Sequence, residues 1–302
     1  MIKSSFMLKE MQFWKLLSIS VLLAKSTFIF SQYSFNYDME NPQKTIELPE
    51  SLKEISGISL CETQDFIWAV QDEQGVIFKI EIETGQLVDS LPFWKKGDYE
   101  GIEIVKDKMY VLKSSGTIYE VELAGEDSLK IQKFNGHLSK EDDAEGLGYD
   151  AQKKELLIAC KNGENGERRV YTFDVETDSL SKEPRFVITR EEAISYLEAH
   201  PKLRKWKKLL KKFNDDKLDF APSAVAVHPL TQDIYILSSQ GKTLVILQSG
   251  GTIAHIEKLE KEVHPQPEGI CFDQKGNLYI SNEGKKKEDM GKIYRFEIGK
   301  EK

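Results

Sequence analysis

Three glutamates, Glu100, Glu145 and Glu268, each stand directly before a glycine and a short strand-like stretch, in "EGIEIV", "EGLGYD" and "EGICFD". Two further places share the frame with serine in the acidic position: Ser56 in "SGISL" and Ser223 in "SAVAV". Two residues upstream stand Glu54, Asp98, Asp143, Ala221 and Gln266. Side chains alternate along an extended chain, so each of these lies on the same side as the residue two positions on. If the five starts converge, as many as six carboxylates meet. Such a group repels itself unless some members are protonated or a cation sits among them. A hard divalent ion with oxygen ligands answers that need, and calcium tolerates an irregular multi-carboxylate shell better than magnesium. Glu100, Glu145, Glu268, Asp98, Asp143 and Ser56 are therefore the candidate ligands of a central calcium ion. The competing reading makes them solvated rim residues, or acceptors for strand-end N–H groups. Recurrence at one repeat position favours the ion.

The elements that would position these residues are repeats. Gly57, Gly101, Gly146, Ala224 and Gly269 follow one another at steps of 44, 45, 78 and 45 residues. After each comes a short strand, a turn such as "KD", "AQKK", "LTQD" or "QKGN", a second apolar strand and then a third. Short strands at this period indicate radial repetition, and the expected fold is all-β, a five-bladed β-propeller, with six blades the weaker alternative. Linking segments can supply each fourth strand. For the last blade, "KTIELP" at 44–49 is expected to pair beside "GKIYRFEI" at 291–298, closing the ring over a propeller domain of residues 44–298 and leaving no open edge there.

The long step carries an insertion between the third and fourth blades, residues 189–219. Thr189 with Glu192 three positions on is a capping signal, and Pro201 should divide the segment into two helices. Leu203, Trp206, Leu210 and Phe213 form a stripe at helical spacing, with Lys202, Arg204, Lys205, Lys207, Lys208, Lys211 and Lys212 around it. Residues 202–213 could make a peripheral membrane contact or meet an acidic partner. A helix packed on the propeller rim with solvated lysines needs the same stripe, and is the plainer reading.

The first strand of each blade lines the channel of a propeller, so the recurrent acids ring its mouth. The ends of the second strands approach the same axis with Gln71 and Asp72, Lys113 and Ser114, Cys160 and Lys161, Ser238 and Ser239, and Asn282 and Glu283. Of this mixed set, Asp72, Ser239, Asn282 and Glu283 are the candidate ligand contacts.

Lys3, Lys9 and Lys15 precede the apolar run "LLSISVLLA", the pattern of a secretory signal peptide over residues 1–31, with an uncleaved anchor as the alternative. Export to the periplasm or cell envelope is the expectation. The formal net charge is −8, and loss of residues 1–31 removes four lysines and one glutamate, leaving the rest more acidic still. Such a chain is a poor candidate for nucleic-acid binding. Cys61, Cys160 and Cys271 are too few and scattered for a disulfide framework, and read as small core hydrophobes.

In order and spacing, "EISGIS", "GDYEGIEIV", "MYVLKSSGTIYEV", "DDAEGLGYD", "PSAVAVHP" and "PEGICFD" with "GNLYISNEG" resemble the SdiA-regulated family of bacterial propeller proteins from Leu48 to Ile298. The resemblance implies a five-bladed propeller, a calcium site near the channel, a signal or membrane-associated N-terminal segment and no established activity. More distantly it implies kinship with NHL-repeat propellers and with six-bladed calcium-dependent lactonases and arylesterases. Two features depart from the pattern: the helical insertion, and Ser223-Ala224 in place of Glu-Gly. Two functions follow. One is a binding module for a small molecule or envelope protein. The other is a metal-dependent lactonase or esterase, which needs a base near the ion; His264 and His137 are the candidates. No nucleophile elbow, zinc-protease pair, Walker loop or dinucleotide fingerprint is present in the sequence.

Overall fold

The computed structural model describes residues 33–60, 64–125, 128–163, 166–214, 219–285 and 289–299. The expected signal segment, residues 1–31, and Cys61 lie outside them. Strand β1 (Lys44–Glu47) leads into four consecutive sheets and a fifth that returns to it. Blade 1 comprises β2 (Ile55–Leu60), β3 (Phe66–Gln71), β4 (Val76–Glu81) and β5 (Leu87–Pro92), and blade 2 comprises β6 (Tyr99–Val105), β7 (Lys108–Lys113), β8 (Ile118–Leu123) and β9 (Leu129–Phe134). Blade 3 has β10 (Ala144–Asp150), β11 (Glu155–Cys160) and β12 (Arg168–Asp174), its outer edge shared by β13 (Ser179–Leu180) and β14 (Phe186–Ile188). Blade 4 has β15 (Ala221–Val227), β16 (Ile234–Gln240), β17 (Thr243–Leu247) and β18 (Ile253–Lys258). Blade 5 has β19 (Pro267–Phe272), β20 (Leu278–Asn282) and β21 (Lys292–Phe296), with β1 as its outermost strand. Lys44 pairs with Arg295 and Glu47 with Lys292, so the ring closes as the repeat requires.

The five first strands pack side by side around the axis, β2 on β6, β6 on β10, β10 on β15, β15 on β19 and β19 back on β2. Their closeness explains the small residue in the repeat. A Cβ on Gly57 would meet Gly101 Cα at 2.6 Å, one on Gly101 would meet Leu147 Cβ at 2.5 Å, and one on Gly269 would meet the Ser56 carbonyl oxygen at 2.6 Å. No real Cβ approaches that closely. In all five first strands the register with the second strand shifts at these positions, a bulge that re-aims the side chain beside it. Glycine and acid thus form one device: the glycine lets the strands meet, and the bulge turns the neighbouring residue.

Between blades, apolar side chains interdigitate. Ile55, Ile58 and Ile67 pack with Ile46, Leu52 and Ile293 across the closure. The insertion caps the junction of blades 3 and 4. Helix α1 (Arg190–Ala199) starts from Thr189, whose side chain accepts from the Glu192 N–H while Glu192 reaches back to the Thr189 N–H, the reciprocal capping box. Helix α2 (Trp206–Asn214) begins after Pro201 and a run of turns. Its most buried side chains are Leu209 and Phe213, with Leu203, Trp206 and Leu210 partly covered on the same core. Leu209 was not part of the expected stripe. Arg190 donates to the carbonyls of Phe213 and Asn214, both at 2.7 Å, tying the end of α2 to the start of α1. Several of the basic residues are engaged: Arg204 with Glu257 and Glu40, Lys205 with Glu40 and Glu260, and Lys212 with Asp219. Among the described residues no helix is long and apolar enough to cross a membrane.

Candidate functional site at the channel mouth

The bulged starts bring the repeat acids into one electrostatic neighbourhood. Glu145 is buried, and its Oε1 stands 2.7 Å from Nζ of Lys161 at the end of β11. Lys161 is fixed from behind, its backbone N–H donating to the Asp143 carbonyl at 2.9 Å, and Asp143 adopts the left-handed conformation with φ 53°. Burial lowers the pKa of the ammonium, but Glu145, Asp143 and Glu268 outweigh that and raise it. Lys161 is thus a tethered cation inside an acidic ring.

The carboxylates respond to the same crowding. Burial raises the pKa of Glu100 strongly, with the charge of Glu145 and the hydrogen bond to Asp98 adding to the rise. Burial likewise raises Glu145, though Lys161 pulls it back. Glu268 is pushed up to about 8 by burial and by Glu283 and Glu145, although Ser239 Oγ donates to its Oε1 at 2.9 Å. Glu283 rises to about 7 through burial and the nearby charges of Asp72 and Glu54. Asp72 rises to about 6 through burial and through Glu54 and Glu73. Burial first, and the charges of neighbouring acids second, therefore raise these carboxylates well above the ordinary range.

The serines of the ring act differently. Ser223 Oγ donates to the Pro267 carbonyl at 3.1 Å, linking blade 4 to blade 5. The Ser56 carbonyl receives Ser281 Oγ at 3.0 Å, and the same hydroxyl accepts from the Gly269 N–H at 2.7 Å, linking blade 5 to blade 1. Asp98 accepts from Ser114 Oγ, and its own carbonyl receives the Ser114 N–H at 3.0 Å. Of the second-strand residues, Asp72 Oδ1 and both polar atoms of the Asn282 side chain are buried without a hydrogen-bond partner among the described residues.

Asp98, Glu100, Asp143, Glu145 and Glu268 are thus brought within reach of one another's charge. Among the described residues, no three His, Cys, Asp or Glu side chains stand close enough to share one ion. Lys161, Ser114 and Ser239 hold separate carboxylates instead. The donor chemistry nonetheless suits a hard cation: carboxylate oxygens throughout, with Asp72 Oδ1 unclaimed. Sequence reasoning had Lys161 in the polar set but not as the counter-charge of Glu145. Its position, equivalent to Asp72 and Glu283 at a second-strand end, was the available signal.

The histidines are turned away from this chemistry. His264 is fully buried, its Nε2 3.2 Å from the Met39 carbonyl, and burial lowers its pKa to about 4. His137 is exposed, with its ring edge-on to Tyr171 at 5.4 Å. Cys160 and Cys271 are buried free thiols, as expected, and burial raises both.

Fold and site together define a five-bladed β-propeller with an acidic channel mouth whose buried carboxylates have raised pKa values. The chain belongs to the SdiA-regulated family, whose profile matches residues 29–286. Among solved structures it is similar to the glutaminyl cyclase of Myxococcus xanthus, with 9% identity over 85% of this chain and 95% of that one at a TM-score of 0.54. It is also similar to the PQQ-bound aldose sugar dehydrogenase of Streptomyces coelicolor, with 10% identity over 85% and 97% at 0.51. A gluconolactonase from Xanthomonas campestris matches with 12% identity over 80% and 72% at 0.50. At these identities the likeness is one of fold. No curated protein matches the sequence.

Proposed function

We propose that the channel mouth binds a hard divalent cation, calcium, and that the protein is a non-catalytic binding module whose ring the ion stiffens. The observation that carries this reading is the crowding of buried carboxylates at the mouth: Glu100, Glu145, Glu268 and Glu283 all have raised pKa values, first through burial, and each also feels the charge of at least two neighbouring acids. Glu100, Glu145 and Glu268 are the primary donors in this reading, with Asp98, Asp143 and Asp72 nearby and Ser56 at the blade junction. Calcium supplies the positive charge that lets these groups ionise together. The chain's own contribution is to present oxygens from three blades, to keep protons on them when no cation is bound, and to release Glu145 from Lys161. The amino-terminal pattern supports action at the cell envelope.

A lactonase or esterase with the ion as Lewis acid is the weaker reading, because a base is wanted beside the mouth and His264 faces Met39 within the protein. Titration of the purified protein with calcium, followed calorimetrically, tests the proposal. The wild type should bind saturably, and Glu100→Gln with Glu268→Gln should lose the affinity. Equal binding by the double variant, or none by the wild type, would overturn it.

A further inference from the structure

Beside the mouth, on one face of blade 5, lies a cavity of about 400 Å³, within the range of small-molecule sites. One wall is a row across three strands: Asn282 pairs with Lys292, and Lys292 with Glu47, so the three side chains share a face. Glu262 and Pro265, from the connection between β18 and β19, also line it. Asn282 is 2% exposed, lines this cavity, and has neither Nδ2 nor Oδ1 hydrogen-bonded among the described residues. Leaving such a group unpaired forfeits its hydration with no hydrogen bond in return. A native protein that keeps one has a reason for it.

The lining narrows what would satisfy the amide. Asn282 offers one donor and one acceptor side by side. Lys292 is already engaged, 3.4 Å from Glu47. Glu262 and Glu283 line the cavity together with Lys285, so its carboxylates outnumber the remaining ammonium and favour a cation. Glu283, adjacent in sequence to Asn282, lines the same cavity, and burial with the charges of Asp72 and Glu54 raises its pKa although Lys161 and Lys285 oppose the rise. In an extended peptide the N–H and C=O of one residue point the same way, as they do in an antiparallel ladder. An asparagine amide pairs with both at once.

We propose that this cavity takes the free amino terminus of a peptide, with the ammonium against Glu283 and the N–H and C=O of the second residue on the Asn282 amide. The site shares Glu283 with the acidic mouth but does not require a cation to be bound there. Trialanine amide is a suitable probe, with its N-acetylated form as the control. Calorimetry, together with NMR of the Asn282 side-chain amide signals, should show saturable binding of the free peptide. Acetylation should weaken it by about tenfold or more, the loss of one charge-assisted contact. Asn282→Leu should abolish binding without lowering the melting temperature, since it removes an unpaired buried amide at similar size. Glu283→Gln, which keeps the side chain's shape, should weaken the free peptide and leave the acetylated one unaffected. Absence of saturation in the wild type, equal binding of the acetylated probe, retained binding by Asn282→Leu, or a lower melting temperature in that variant would each overturn the proposal.

Discussion

Replacing Lys161 by methionine removes the ammonium while keeping much of the stem. Its Nζ stands 2.7 Å from Glu145 Oε1, with the Glu145 side chain 8% exposed and that of Lys161 34% exposed. Breaking a fully buried pair costs about 3–5 kcal/mol because the remaining charge is stranded. Two features reduce this here: the lysine is one-third exposed, and Glu145, already raised, can take a proton. About 1–2 kcal/mol is the expected loss without metal, or about 2–8 °C in melting temperature for a domain of this size. With calcium the result should reverse. The ion no longer competes with a tethered ammonium for Glu145, so Lys161→Met should bind calcium about tenfold or more tightly than the wild type, and the lost stability should return by mass action. Paired melting curves in chelator and in calcium, with a calcium titration of each protein, give all three quantities. An equal loss of stability with and without calcium, or calcium affinity unchanged in the variant, would refute the assignment of Lys161 as the mouth's own counter-charge.

Two further outcomes follow from the fold and the raised carboxylates. Gly57→Ala should destabilise by about 3 kcal/mol or more, at the upper end for overpacking, because its Cβ meets the backbone of Gly101 at 2.6 Å and Ile102 N at 2.8 Å. Gly250→Ala meets nothing within 4 Å and should be neutral in the same thermal or denaturant unfolding experiment. Glu268 keeps its proton in the folded state up to about 8, against an ordinary carboxylate value when unfolded. The stability from that proton is therefore full below the unfolded pKa and is lost as pH rises through the folded one. In chelator the wild type should lose stability relative to Glu268→Gln between about pH 5 and pH 8, and a difference that is flat or rises with pH would contradict the placement.

The ring was legible in the sequence because it rests on a local rule repeated five times. A small residue is needed wherever first strands nearly touch, and a bulge there leaves its neighbour facing the mouth. Thr189 with Glu192 announced α1 for a similar reason, since a capping box needs only residues three apart. Ser223-Ala224, a departure from the pattern when read in the chain, is accounted for by the Ser223 hydroxyl on the Pro267 carbonyl. What the sequence did not disclose depends on neighbours distant along the chain or on exact helix phase. Lys161 becomes a counter-charge through its contact with Glu145, and its field reaches Glu268 on another blade. The burial of Leu209 follows from where α2 starts, which the turns after Pro201 decide. The unpaired amide of Asn282 is invisible until its strand partners and the connection between β18 and β19 are in place.

Proton release on cation binding bears most directly on the central claim. If burial and neighbouring charge keep protons on the mouth acids, binding calcium among them must displace those protons. Calorimetric titrations near pH 7 in buffers of different ionisation enthalpy count those protons. Binding at the mouth predicts the release of about one proton or more, with affinity rising as pH rises. Release should fall in Glu268→Gln. Calcium binding with no proton release, or affinity independent of pH across this range, would contradict it.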